Sequence, residues 1–342
     1  MAEPTPRATL DEMRAQLASL PGPDLAAASA AATREARLTK PAGALGRLEE
    51  LSEWLATWQT KHPPSLDHPR TAVFAGNHGV AARGVSAYPA DVTAQMVRNF
   101  IRGGAAVNQL CRAVDADLRV YEMALEQPTA DFTTAPAMSD EDCAMAMAYG
   151  MMAVEPGIDV IALGEMGIAN TAAASALCGL LFGGEATHWV GPGTGVTGAA
   201  FQRKIEAVDA AMRLHAPQTR DAVDSLRRVG GRELAAITGA VIAARRARVP
   251  VVLDGFAATA SAAVLFAADP HALDHCIVAH RSAEPGHARL LERIGKKPLL
   301  DLGMRLGEAS GATLAIAILK AAVACHTGMA TFAEAGVSGK EG

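Results

Sequence analysis

The residues with the types and spacing to do chemistry gather in a few short clusters. Gly164-Glu165-Met166-Gly167-Ile168-Ala169-Asn170-Thr171 places a carboxylate just before residues suited to cap a helix. Gly191-Pro192-Gly193-Thr194-Gly195 is a glycine loop ahead of a helix that the pattern starts near Ala199. Glycine lets backbone N–H groups approach an anion, and a helix N-terminus adds partial positive charge, so this loop predicts a phosphate site. Thr194 adds a hydroxyl donor and Lys204 a charge from the following helix. The plainer reading is a glycine turn without a ligand. Met304-Arg305-Leu306-Gly307-Glu308-Ala309-Ser310-Gly311 sets a carboxylate at the mouth of the apolar stretch Ala312–Cys325. The helix dipole would lower its pKa and burial would raise it, and a purely structural first-turn acid fits the pattern as well. Glu165 can equally be a solvated acid beside an ordinary cap.

Other clusters argue against some chemistries. His78, His280 and His287 are scattered, with no H-E-x-x-H spacing, so no metal site is expected. Asp254 is expected to anchor loop amides, and Ser282 lacks a G-x-S-x-G context. Gly193-Thr194-Gly195-Val196-Thr197-Gly198 formally matches a dinucleotide fingerprint, which keeps an NAD(P)-dependent oxidoreductase open as an alternative. The acidic residue about 20 positions on should end a second strand. Asp209 instead falls in a helical pattern.

These clusters must be held by elements that the pattern also predicts. Apolar, β-prone runs at Thr71–Ala75, Leu118–Met123, Val160–Leu163, His188–Val190, Val249–Leu253 and Cys276–Ala279 read as strands. Helical patterns lie between them at Ala90–Ala113, Thr171–Leu181, Ala199–Leu214, Glu233–Arg246 and Thr259–Phe266. Strand–helix alternation with near-continuous apolar strands predicts an α/β fold: a doubly wound, mainly parallel, Rossmann-like sheet. Most clusters then follow strand ends, where such sheets bind ligands. Leu10–Leu20, Leu25–Leu38 and Leu45–Trp58 read as helices before the first strand. Residues 1–65 and 303–342 are expected to form a small helical domain, and 66–302 a large nucleotide-binding one.

The 342 residues carry 31 basic and 36 acidic side chains, a formal charge of −5, and only 4% aromatics, a poor composition for a nucleic-acid-binding face. Five scattered cysteines and the absence of an apolar leader in Met1–Leu20 predict a cytoplasmic protein. Ala312–Cys325 reads as a core helix, too short to span a membrane.

Taken together, the clusters resemble the nicotinate-nucleotide–dimethylbenzimidazole phosphoribosyltransferase family. The resemblance runs through Lys40-Pro41-Ala42-Gly43-Ala44-Leu45-Gly46-Arg47, Phe74–Val80, Gly84-Val85-Ser86-Ala87-Tyr88-Pro89, Gly164–Thr171, Gly193–Gly195, Leu253–Phe256, Ala279–His287 and Asp301–Gly311. The family more often shows Ser at Ala44, Asp at Asn77 and Gly at Ala169 and Ala309.

The resemblance implies that nicotinate mononucleotide gives its phosphoribosyl group to 5,6-dimethylbenzimidazole, forming α-ribazole 5′-phosphate and nicotinate for the cobalamin nucleotide loop. It implies Glu308 as general base, with Glu165 near the reacting centre. The phosphate and ribose would lie against Gly167, Asn170, Thr171, Gly193, Thr194, Gly195 and Lys204. Ser86, Tyr88, Gln95, Met166 and Leu306 would line the benzimidazole side. No cofactor or metal is implied, and a homodimer is. A non-catalytic nucleotide-binding protein of the same fold stays as a further alternative.

Overall fold

A computed structural model describes residues 8–338. In chain order the elements are α1 (Leu10–Leu17), α2 (Leu25–Glu35), α3 (Arg47–Gln59), β1 (Pro69–Ala75), α4 (Val92–Arg102), α5 (Ala106–Val114), β2 (Asp117–Glu122), α6 (Asp140–Met151), β3 (Val160–Met166) and α7 (Asn170–Phe182). They continue with α8 (Gly198–His215), α9 (Ala222–Val229), α10 (Arg232–Ala247), β4 (Val251–Leu253), α11 (Phe256–Ala268), β5 (Cys276–Val278), α12 (Pro285–Ile294), α13 (Ser310–Gly328) and α14 (Phe332–Ala335).

The five strands form one parallel sheet in the order β2-β1-β3-β4-β5, doubly wound with its reversal between β1 and β3. Every residue of β1 is buried, which is why that run carries no polar alternation. Its side chains still divide by parity. Ala72 and Phe74 enter the core shared with α7, α10 and α11, while Val73 and Ala75 enter the cluster with α4 and α5. On the second face Val160, Ala162, Val252 and Ile277 meet Leu51 and Leu55 of α3 and Ala312, Ala315, Ile316 and Leu319 of α13.

Several expectations change. His188–Val190 is not a strand: Ala186–His188 is a 3₁₀ turn. The amides of Trp189 and Val190 donate to the Ala186 carbonyl, and the Trp189 indole donates to the Gly183 carbonyl. The run is short and its amides are satisfied locally, so nothing is left for a ladder. Ala90–Ala113 divides into α4 and α5, because Gly103 closes α4 in the left-handed conformation at φ 80°. α6, α9 and α12 are additional helices. α13 has 19 residues, longer than Ala312–Cys325, and is long and apolar enough to cross a membrane by those measures alone. In the fold it lies against β1, β3 and β4. α1 packs on α6 and α10, whereas α3 packs on α2 and α13. All five cysteines are free, and four are buried.

Candidate active site

The carboxyl ends of β3, β4 and β5 open onto one cavity of about 520 Å³. β3 flanks the sheet's reversal point, where neighbouring connections leave on opposite faces and a crevice must form.

Glu165 is the sixth residue of β3, and its strand neighbours fix its place. The Glu308 amide donates to the Glu165 carbonyl at 3.1 Å, so the second carboxylate is tied to the first through the backbone. Gly307, Glu308 and Ala309 all have positive φ, at 79°, 60° and 58°. A run of left-handed residues with side chains is strained, and packing must hold it. Gly164 explains how. A Cβ there would lie 2.1 Å from the Ala309 nitrogen and 2.4 Å from its Cα, so only glycine lets the 307–309 turn rest on β3. The Glu308 residue is only 6% exposed, lines the cavity, and its carboxylate makes no hydrogen bond or ion pair with another described residue.

Burial pushes Glu308 up to about 7, with the charge of Asp254 adding to it. Glu165 is pushed up to about 8, first by burial and then by Asp254 and Glu233, while the Asn170 amide, which donates to its Oε2, opposes the rise. Two such carboxyls titrate as a pair around neutrality, one able to accept a proton while the other keeps its own.

Asn170 and Thr171 open α7, whose cap residue Ala169 is itself left-handed. The Ile168 amide donates to Thr93 Oγ1 at 3.2 Å, which fixes this turn against α4. The Gly191–Thr197 loop comes next to it. Lys204 reaches back from α8 and donates to Thr171 Oγ1 and to the Gly191 carbonyl, both at 2.8 Å. Lys204 is only 1% exposed, and burial lowers it to about 8 against the opposing pull of Glu284. It braces the loop from behind. The Gly193 amide already donates to Glu284 Oε1 at 2.8 Å, and the Arg305 guanidinium donates to the Gly193 carbonyl at 3.3 Å. The glycine loop follows a 3₁₀ turn rather than a strand, so its dinucleotide-like spacing lacks the strand–turn–helix setting that fingerprint needs.

Of the residues singled out in the sequence, Glu308, Glu165, Met166, Gly167, Asn170, Thr171, Gly193, Thr194, Tyr88 and Leu306 line the cavity together. Tyr88 and Leu306 are exposed at its rim. Ser86, Gln95, Gly195 and Lys204 are not among the lining residues. Ser86 Oγ is 3.4 Å from Thr194 Oγ1, and Gln95 faces solvent on α4. The sequence reading missed the apolar wall of Val92, Met96, Ile168 and Phe256, and the polar group His280, Ser282, Glu284 and Arg305 as lining residues. The place of His280, Ser282 and Glu284 just after β5 was the usable signal, while Arg305 comes from the segment before α13; the wall residues look like any helix stripe. Asp254 anchors an amide, as expected: its Oδ1 accepts from the Ala312 N–H at 2.9 Å. His287 is an internal strut, its Nδ1 accepting from the Ser282 amide at 2.9 Å. Among the described residues no group of three or more His, Cys, Asp or Glu side chains is placed to hold a metal ion.

The geometry provides a cavity-facing carboxylate, a second carboxyl beside it, an apolar wall, and helix N-termini with loop amides. That set suits the transfer of an anionic sugar to a flat heterocycle. Residues 20–337 match a family described as phosphoribosyltransferase. The chain is 55% identical over 331 residues to nicotinate-nucleotide–dimethylbenzimidazole phosphoribosyltransferase of Brucella anthropi, covering 97% of this chain and 98% of that one. It is 57% identical to the protein of the same name from Rhizobium meliloti, again over 97% and 98%. Among solved structures, CobT from Thermus thermophilus superposes with a TM-score of 0.87 at 41% identity, covering 92% of this chain and 100% of that one. Fold, cavity and near-full-length likeness converge, and the chain belongs to the phosphoribosyltransferase family that these relatives represent.

Proposed function

We propose that this protein transfers the 5-phosphoribosyl group of nicotinate mononucleotide to 5,6-dimethylbenzimidazole, releasing α-ribazole 5′-phosphate and nicotinate for assembly of the cobalamin nucleotide loop. The observation that carries the reading is the Glu308 carboxylate, cavity-facing, without a protein partner, and held on a strained turn beside Glu165. Relatives at 55–57% identity that bear this enzyme's name support it.

In the reaction the unprotonated nitrogen of the benzimidazole attacks the anomeric carbon. The bond from that carbon to the pyridinium nitrogen breaks, and its electron pair leaves with nicotinate, whose ring becomes neutral. The attacking ring would gain positive charge. Glu308 takes the proton from its other nitrogen and prevents that, a positioned-base contribution of about 10²–10⁴-fold. Attack from the face opposite the leaving ring inverts β to α. Glu165, kept protonated near neutrality, adds no second negative charge next to the base. Thr171, Gly193 and Thr194 hold the phosphate, with Gly167 and Asn170 at the ribose and Lys204 bracing the loop. Met166, Tyr88 and Leu306 flank the benzimidazole, and Ser86 and Gln95 approach it from beyond the cavity lining. Both substrates held in one cavity supply the larger orientation effect.

The same reading has a cytoplasmic homodimer. Tyr88, Leu302 and Leu306, exposed at 54%, 61% and 55%, are apolar side chains that a second copy would cover. It also takes 1–65 and 303–342 as a helical unit beside the 66–302 unit; packing of α3 on α2 and α13 supports this, and α1 joins the other side. Incubating the purified protein with both substrates and analysing the products by mass tests the reaction. Formation of α-ribazole phosphate with equimolar nicotinate is expected, and no product under any condition would reject it.

A further inference from the structure

A buried pair of titratable side chains lies behind the cavity lining. His78 Nε2 is 2.6 Å from Glu233 Oε1, and neither side chain has any exposed surface. His78 comes three residues after β1, and Glu233 stands in the first turn of α10. We propose that they form a positioning pair for the transfer: they seat the end of β1 against the β3–α7 turn, and so fix Glu165 and the Gly167 floor at the ribose. This rests on the transfer proposed above.

Three glycines shape the place. A Cβ at Gly76 would lie 2.4 Å from Glu233 Oε2, and one at Gly231 would lie 2.3 Å from His78 Cε1. A Cβ at Gly167 would lie 3.3 Å from His78 Nε2 and 2.8 Å from the Gly76 carbonyl oxygen. The pair is therefore enclosed by the end of β1, the turn after β3 and the turn before α10. Gly167 belongs to the cavity lining, as do Glu165, Met166 and Ile168. The Gly76 amide donates to the Met166 carbonyl at 3.0 Å, which ties the end of β1 to the residue after Glu165. The segment that carries His78 is itself fixed. The Asn77 side-chain amide donates to the Leu125 carbonyl at 2.9 Å, and the Thr129 amide donates to the Asn77 carbonyl at 3.0 Å. A shift of the imidazole is thus passed to Gly76 and Gly167, where no soft side chain can absorb it.

The pair also places a charge. Atoms 2.6 Å apart share a hydrogen, and His78 Nδ1 and Glu233 Oε2 have no other partner among the described residues. A protonated ring, or one accepting a proton from the carboxyl, would leave an N–H stranded at Nδ1 in a dry interior. The ring is therefore neutral and donates from Nε2 to a Glu233 carboxylate. The start of α10 favours that negative charge, because the cap residue Gly231 offers its first-turn amides no side-chain acceptor. Glu165 feels it. Burial and then Asp254 do most to push Glu165 up to about 8, and Glu233 is the next cause, ahead of Glu308 and against the Asn170 amide. His78 thus orients a carboxylate whose charge helps keep Glu165 protonated beside the base.

The test compares wild type with His78→Ala, His78→Gln, Glu233→Gln, Glu165→Gln and the last two combined. In steady-state assays of α-ribazole phosphate formation, His78→Ala should lower kcat at least about tenfold and leave donor KM within about threefold, since the phosphate contacts proposed at Thr171, Gly193 and Thr194 lie elsewhere. His78→Gln can still donate to Glu233 Oε1 and should recover most of that loss. Urea unfolding reads the charge. At about pH 9 the change in unfolding constant caused by Glu165→Gln should be at least about threefold smaller when Glu233→Gln is also present. At about pH 5, where folded Glu165 keeps its proton in both backgrounds, the two substitutions should be additive. A pair that only fills space gives the same coupling at both pH values. That result overturns the proposal, as does a kcat loss under about threefold in His78→Ala. If His78→Ala fails to fold, the pH-dependent coupling decides alone. If wild type forms no product, the proposed transfer falls, and the coupling still judges the pair.

Discussion

Replacing Glu308 by glutamine removes the proton acceptor and keeps the side chain's size. The left-handed backbone, the Gly164 contact and the Asp254–Ala312 hydrogen bond do not depend on the Glu308 carboxylate, so the turn should persist. The expected fall in kcat is about 10²–10⁴-fold, the range for a positioned base, which corresponds to about 3–5 kcal/mol of barrier. Donor KM should change little, because the phosphate contacts proposed at Thr171, Gly193 and Thr194 lie elsewhere. The pH dependence sharpens the test. With Glu308 pushed up to about 7, the base form is lost below that value, so wild-type kcat/KM should fall about tenfold per pH unit toward acid and level off above. The glutamine variant should lack that acid limb. The assay is the initial rate of α-ribazole phosphate formation across about pH 5–9. A variant retaining more than about one tenth of wild-type kcat, or an acid limb unchanged by the substitution, would refute general-base action by Glu308.

Glu165→Gln should make the protein more stable at alkaline pH. A carboxyl whose folded value is raised from 4.5 to about 8 favours folding at acid pH, and that contribution is lost as pH rises through about 8. Denaturant unfolding at about pH 9 should show a gain on the order of 3 kcal/mol, shrinking toward pH 5; a loss at pH 9 contradicts the account. Gly164→Ala should cost activity about a hundredfold with secondary structure retained, since its methyl group must displace the Ala309 backbone; near-normal turnover contradicts it. Lys204→Met should raise donor KM at least about tenfold by freeing the loop it holds at Gly191, and a change confined to kcat argues against that role. Asp224→Ala should destabilise the fold by about 3–5 kcal/mol in urea unfolding, because it strands Arg227 and Arg228, whose guanidiniums pair with it at 2.8–2.9 Å.

The parallel sheet was legible because Ala72–Ala75 and Val160–Leu163 are apolar at every position, the pattern of a strand covered on both faces. Glu165 and Glu308 were legible because each stands at an element end among glycines. His188–Val190 misled because three apolar or aromatic residues suit a 3₁₀ turn as well as a strand. The second carboxylate's backbone tie to β3 was hidden, since spacing in sequence says nothing of residues 143 positions apart. The lining role of His280 was hidden for a similar reason: only the coordinates show that Gly255 and Gly311 leave room for its ring. Lys204 was read as a phosphate ligand from its charge, but its burial depends on how α8 turns, which periodicity does not resolve.

α13, which with α3 covers the second face of the sheet, begins two residues after Glu308. A chain made from its N-terminus must therefore wait for residues 310–328 before α13 closes its share of that face, and until then the turn bearing Glu308 has no helix to anchor it. On the role proposed for Glu308, completing the interior and setting the base in place are then a single docking event.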